Sequence, residues 1–323
     1  MRMLCRAAAV AFTLSICFAG GASAQQARTW VSGLGDDASA TCSEAAPCKT
    51  FAGAVAKTAA GGEMDCLDPG GFGNVVITTS ITIDCEAGTA GVLIAGIDGI
   101  VVNAAPTDVV SIKGVDLNGF GPTAGARNGI KIIKAGFVSI DHCFISNFGG
   151  SSGAEGNGIY VINPSAVSVS INDTLILNNF GAAIWVEPIG SGDATILISN
   201  IHASGNGFGV VFDGYTGGGT GRIKGAVSES AIDGSAHNGI TASNLTATNI
   251  SVVVDDVSVS GGGVVGLVAN GANAGMIIGD STVNANAKGV SAQNGGVLFS
   301  YGNNRVNGNN GADGAFTAVI PTH

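Results

Sequence analysis

Residues 157–179 read Asn157-Gly158-Ile159-Tyr160-Val161, then Ile162-Asn163-Pro164-Ser165-Ala166, then Val167-Ser168-Val169-Ser170-Ile171, then Asn172-Asp173-Thr174, and finally Leu175-Ile176-Leu177-Asn178-Asn179. Three short apolar segments alternate at period two, which is the mark of half-buried strands. A proline-containing link and a polar step separate them. The stretch is one copy of a unit that recurs. Its opening triplet returns as Asn128-Gly129-Ile130, Ala182-Ala183-Ile184, Phe208-Gly209-Val210, Asn238-Gly239-Ile240, Val265-Gly266-Leu267 and Lys288-Gly289-Val290. Successive triplets lie 29, 25, 26, 30, 27 and 23 residues apart. Three strands per copy, each with one face inward, coil into a prism. Each strand then pairs in parallel with its equivalent in the next copy. The expectation is an all-β right-handed parallel β-helix with three parallel sheets. Earlier strands at Val75, Ile81, Val92, Ile100 and Val109 bring the count to about ten coils. At about 4.8 Å per coil, the body would be roughly 50 Å long. No repeat segment sustains a 3.6 period, so helical solenoids are excluded.

The ends frame this body. Met1-Arg2-Met3-Leu4-Cys5-Arg6 is basic, residues 7–19 are apolar, and Ala22-Ser23-Ala24 is a small-residue cleavage site. That pattern is a secretory signal peptide over residues 1–24, cut near Ala24. Ile16 before Cys17 is too bulky for a lipoprotein site. The expected localisation is secreted, periplasmic or cell-surface. No later run is long and apolar enough for a membrane span.

The chain has 13 basic and 23 acidic residues; without Arg2 and Arg6, 11 basic residues remain, for a net charge near −12. Nucleic acid is therefore not an expected partner. Fifty-three glycines against seven prolines would suit disorder. The mean hydropathy is positive, however, and the strands are rich in Val and Ile. Such a chain has apolar surface to bury.

Five of the seven cysteines lie beyond the leader. Cys42 and Cys48 are expected to pair, and a Cys66–Cys85 bridge is possible. Cys143 reads as a small buried hydrophobe. Residues 25–72 differ from the repeats and form an N-terminal cap, with residues 73–323 as the β-helix. Residues 52–60 are Ala-rich and read as a capping helix with Thr50 as N-cap.

That segment carries a resemblance. It has Val31-Ser32, Gly35-Asp36, Pro47-Cys48-Lys49-Thr50-Phe51, the Ala-rich helix, Gly61-Gly62 and Pro69-Gly70. It resembles the N-terminal cap of secreted pectate-lyase-like β-helix proteins over about residues 29–83, and the coils behind it fit the same superfamily. Gly61-Gly62-Glu63-Met64-Asp65 departs from the usual Gly-Asp turn into an apolar strand. The resemblance implies fold and export. It does not imply one activity, because that fold carries lyases, hydrolases, adhesins and proteins with no known reaction.

Its enzymes need acidic calcium ligands with an Arg or Lys base, or paired aspartates with His and Arg-Ile-Lys. Asn172-Asp173-Thr174, Arg222-Ile223-Lys224, His237-Asn238-Gly239 and Asp255-Asp256 are fragments of the second set, but in the wrong order. No complete catalytic set is visible. The assignment leans away from an enzyme; if the chain is one, it is a polysaccharide lyase.

Stacking the repeats gives columns. The first-strand outward column reads Lys131, Tyr160, Trp185, Val211, Thr241, Val268, Ser291. Two residues later it reads Ile133, Ile162, Glu187, Asp213, Ser243, Asn270, Gln293. Tyr160 and Trp185 should be exposed neighbours, with Lys131, Glu187 and Asp213 beside them and Arg222 in the following loop. Aromatic faces next to carboxylates suit sugar rings and their hydroxyls. The corner after the second strand carries Glu229, Asp256 and Asp280 on consecutive rungs, a candidate calcium site. Asn147, Asn179, Asn206, Asn238, Asn286 and Asn310 should form a structural ladder. The reading is an exported β-helix that binds polysaccharide or a cell-surface glycan. The alternatives are a lyase acting on acidic polysaccharide and a purely structural solenoid.

Overall fold

The computed structural model describes residues 25–86, 90–121, 127–150, 155–214, 218–244 and 246–322. The signal-peptide segment lies outside them. The described chain is a right-handed parallel β-helix. One face is a nine-stranded parallel sheet that starts at Val75–Ile77 and ends at Lys288–Gln293. The other two faces belong to one 20-stranded sheet that bends at a corner. Ile223–Asp233 and Ile250–Ser260 each run through that corner as single 11-residue strands. Inside lies a column of Ile, Val, Leu and Phe with accessibility near zero.

The body has nine rungs on its complete face rather than ten. The cap accounts for the difference. Thr58–Cys66 pairs with Ile81–Asp84, and Gly70–Gly71 pairs with Ala90–Leu93. These make a partial coil with no strand in the nine-stranded sheet.

The capping helix is also shorter than its alanines suggest. It spans Phe51–Val55, with Thr50 accepting from the Gly53 N–H. Thr58–Cys66 is strand instead, paired with both Gln26–Val31 and Ile81–Asp84. The two-sided pairing covers Glu63–Asp65, while Ala59 and Ala60 lie in the irregular step between Gln26↔Thr58 and Arg28↔Glu63, carried into the strand by the pairing around them. Both disulfides form, Cys42–Cys48 and Cys66–Cys85, and Cys143 is free and buried.

The recurrent Gly-Ile start has a steric cause. A Cβ on Gly239 would sit 2.7 Å from the Gly266 carbonyl oxygen of the next rung and collide with Val259 Cγ1. Gly129, Gly158, Gly209, Gly266 and Gly289 meet the same two obstacles or their close equivalents. Among the described rungs from Gly99 to Gly289, the one at Ala183 admits a methyl group in this column, fully buried. Gly239→Ala should therefore cost about 1–3 kcal/mol by overpacking, read as a shift in urea midpoint. Ala183→Gly, which asks the fold for no extra room, should cost under about 1 kcal/mol. Equal losses would show that strand entropy, not contact, sets the column.

The polar corners are backbone devices. At the second corner Gly114, His142, Asp173, Asn200, Glu229, Asp256 and Asp280 all have φ between 44° and 66°. That left-handed region favours Gly, Asn and Asp. At the third corner Asn147, Asn178, Gly205, Gly234, Gly261, Ala285 and Gly308 do the same.

The asparagine ladder sits one residue further on. Asn179 Nδ2 donates to Asn206 Oδ1 at 2.9 Å, and Asn286 Nδ2 to Asn309 Oδ1 at 3.1 Å. Asn147 is a left-handed corner residue instead, and Asn309 takes the place expected of Asn310. Asn238 belongs to the next strand's entrance, where its Oδ1 accepts from the Val265 N–H.

Candidate functional site

Stacking places most of the expected face correctly. Lys131 is in register with Tyr160, Tyr160 with Trp185, and Trp185 with Val211. Val186 pairs with Phe212, so Glu187 and Asp213 follow on neighbouring rungs. The Tyr160 hydroxyl donates to Glu187 Oε2 at 2.7 Å. Lys131 Nζ lies 6.0 Å from the Tyr160 ring centre and 3.6 Å from Asp98 Oδ2.

The accessibility differs from expectation. In the intact chain Tyr160, Glu187 and Asp213 are 4–5% exposed. The Tyr160–Glu187 hydrogen bond ties two of them together across a rung, and none of the three is an open surface. Burial pushes the Glu187 carboxyl above its ordinary range. The charge on Asp213 adds to this, and the Tyr160 hydrogen bond opposes it. Burial and the same acidic neighbours raise the Tyr160 phenol. Arg222 is engaged elsewhere, with its guanidinium 3.0 Å from Asp193 Oδ2.

Two hydrogen-bonding groups on this face are orphaned among the described residues. Trp185 Nε1 and Thr241 Oγ1 are buried with no partner. They flank Val211 in one register column. A buried polar atom without a partner costs about 1–3 kcal/mol.

The accessible aromatic surface lies at the adjoining corner. Trp185 meets Phe208 edge-on, with centroids 5.8 Å apart and planes at 77°. Phe208 stacks on His237 at 4.6 Å and 25°. Phe180, on the preceding rung, is 52% exposed. Phe180, Phe208 and His237 line an open groove of about 460 Å³ whose polar wall is Asn178, Asn179 and Asn206. Column reading of the first strand missed this groove because Phe180 and His237 precede their strands and Phe208 is the first residue of its own. The signal was present: Phe180, Phe208 and His237 recur 28 and 29 residues apart.

The acidic corner does not converge as drawn. Glu229, Asp256 and Asp280 are successive left-handed corner residues. Among the described residues, the group that brings one ligand atom each within 4.8 Å is Glu86, Asp141 and His142. His202 forms a separate pair with Asp233 at 2.8 Å.

The fold defines a parallel β-helix protein. Two solved structures are similar to it. One is a pectate lyase, Pel9A, at 13% identity and TM-score 0.46, covering 88% of this chain and 79% of that one. The other is a GH136 lacto-N-biosidase from Eubacterium ramulus, at 12% identity and TM-score 0.47, covering 91% of this chain and 68% of that one. No family model matches the chain, and no curated protein matches it. No described helix is long and apolar enough to cross a membrane. Two disulfides suit an oxidising compartment.

Proposed function

We propose that this is an exported β-helix protein that binds carbohydrate without cleaving it, at the corner groove and the sheet face beside it. The carrying observation is the continuous run Trp185–Phe208–His237, with Phe180 across the groove. A sugar ring has an apolar face and a rim of hydroxyls. The rings supply flat apolar surface, and the exposed Asn178 brings an amide to the wall, with the buried Asn179–Asn206 ladder behind it. A groove of about 460 Å³ falls within the usual range of small-ligand sites.

The lyase alternative draws less support. Lys131 and Arg222, its two candidate bases, are each held by an aspartate. A net charge near −12 also repels a polyanion. A glycan array with the secreted chain and its Phe208→Ala variant tests the reading. Wild type should bind a defined subset. Loss of one stacking ring should weaken it by about tenfold, near 1.4 kcal/mol. Indistinguishable profiles, or no glycan bound, overturn the proposal. Release of unsaturated uronides from pectin or alginate would establish the lyase instead.

A further inference from the structure

A second site lies on the opposite corner of the solenoid. Glu86 and His142 occupy that corner two rungs apart, about 9.6 Å along the axis. The rung between them carries Gly114, with φ 66°. A Cβ there would sit 2.6 Å from the Glu86 nitrogen. Backbone of Cys85 and Glu86 fills that position, so the intervening rung presents no side chain, and the Glu86 carboxylate and the His142 ring meet over it. Asp141 joins them from the end of the second strand.

The distances set the ring nitrogen against two carboxylates at once. His142 Nδ1 lies 3.3 Å from Glu86 Oε1 and 3.2 Å from Asp141 Oδ2. One N–H cannot point at two carboxylates. Both separations also exceed the roughly 2.7–2.9 Å of a charge-assisted hydrogen bond. They match the edge of a tetrahedron, about 3.3 Å when each donor is about 2.0–2.1 Å from the centre.

The surroundings hold these donors in place. Asn172 Nδ2 donates to Asp141 Oδ1 at 3.0 Å, leaving Oδ2 for the site. Ser199 in turn donates to Asn172 Oδ1 at 2.8 Å. On the far side of the ring, Asp173 Oδ2 faces His142 Nε2 at 3.7 Å. That separation is too long for a hydrogen bond, so Asp173 acts on the ring as a nearby negative charge. Asp173 is itself oriented by Asn172 and Asn200. Among the described residues Lys113 is the nearby cation, 3.9 Å from Asp84. Against it stand Asp84, Glu86, Asp141 and Asp173. An open groove of about 300 Å³ begins at His142 and Asp173 and runs to His202. That groove runs along the Asp173 side of the ring; the ligand atoms themselves stand on half-exposed or exposed side chains, open to solvent.

We infer that Glu86, Asp141 and His142 form a binding site for a divalent transition cation of the zinc class, with an open fourth position. The imidazole sets the preference. Calcium takes oxygen donors and more of them, whereas one nitrogen and two carboxylates suit zinc.

Isothermal titration of the untagged, chelator-treated secreted chain with zinc, and separately with calcium, tests this. One zinc per chain is expected, with no competition from equimolar calcium. His142→Asn keeps a residue that accepts the left-handed backbone while removing the imidazole. It should weaken zinc by more than about 100-fold, and Asp173→Asn, which removes only a nearby charge, by less. Both variants should keep the metal-free circular dichroism spectrum and melting temperature. His202→Asn, in the same groove, should bind as wild type does. No zinc at one per chain, unchanged affinity in His142→Asn, loss in His202→Asn, or calcium binding as tightly as zinc would each overturn the site.

Discussion

Phe212→Ala is expected to destabilise the protein by about 3–5 kcal/mol, the largest loss of any single side chain considered. Phe212 is fully buried on the inward face of the nine-stranded sheet. Its equivalents on the following rungs are Ala242, Ala269 and Ala292, so one coil carries a ring where others carry a methyl. The space comes from across the prism. Gly225 occupies an inward position whose neighbours are Ile196 and Val252. A Cβ on Gly225 would lie 2.7 Å from the Phe212 ring. The two residues share one volume, and a double-mutant cycle should show it. Gly225→Ala alone should destabilise by about 1–3 kcal/mol through overpacking. In the Phe212→Ala background it should be neutral or stabilising, because the methyl enters the cavity. Urea unfolding of the four proteins measures the coupling. Additive losses would show that the coil relaxes around each change independently.

That pair also marks how far the sequence could be read. Period-two alternation and the spacing of the Gly-Ile triplets were enough to place every first-face strand from Asn128–Lys134 onward. They also put Lys131, Tyr160 and Trp185 in one register column. Such facts depend on order along the chain, which the repeat supplies. Facts that depend on distance across the prism were not legible. Nothing local says that Gly225 is small because Phe212 is large. Nothing local says that Glu86 and His142, 56 residues apart, meet over the side-chain-free rung at Gly114. Exposure was misread for the same reason. Alternation shows that Tyr160, Glu187 and Asp213 point outward, but not that they are buried once there. The ladder placed at Asn147 and Asn310 fell one residue from its true column. Corner backbone, with its left-handed residue, sets the phase there, and that residue can be Asn, Gly or Ala.

Removing the Cys66–Cys85 bridge should lower stability by about 3 kcal/mol, and the loss should be confined to one end of the molecule. The loop it closes spans 19 residues. Chain entropy over a loop of that size is worth about 3 kcal/mol, against about 2 for the six-residue Cys42–Cys48 loop. Position raises the consequence. Glu63, Met64 and Asp65 pair with Thr82, Ile83 and Asp84, and the bridged cysteines follow at the next step. The bond therefore fastens the cap's strand to the first full coil. In a solenoid each rung is stabilised mainly by its neighbours, so a terminal rung opens first. Cys66→Ala/Cys85→Ala should speed hydrogen exchange in residues 58–84 while strands beyond Asn128 keep their protection. Cys42→Ala/Cys48→Ala should loosen the cap loop and cost about 1 kcal/mol less. Uniform loss of protection along the whole chain would mean that the coils unfold as one unit. In that case the bridge would act through the unfolded ensemble alone, not by holding the cap against the first coil.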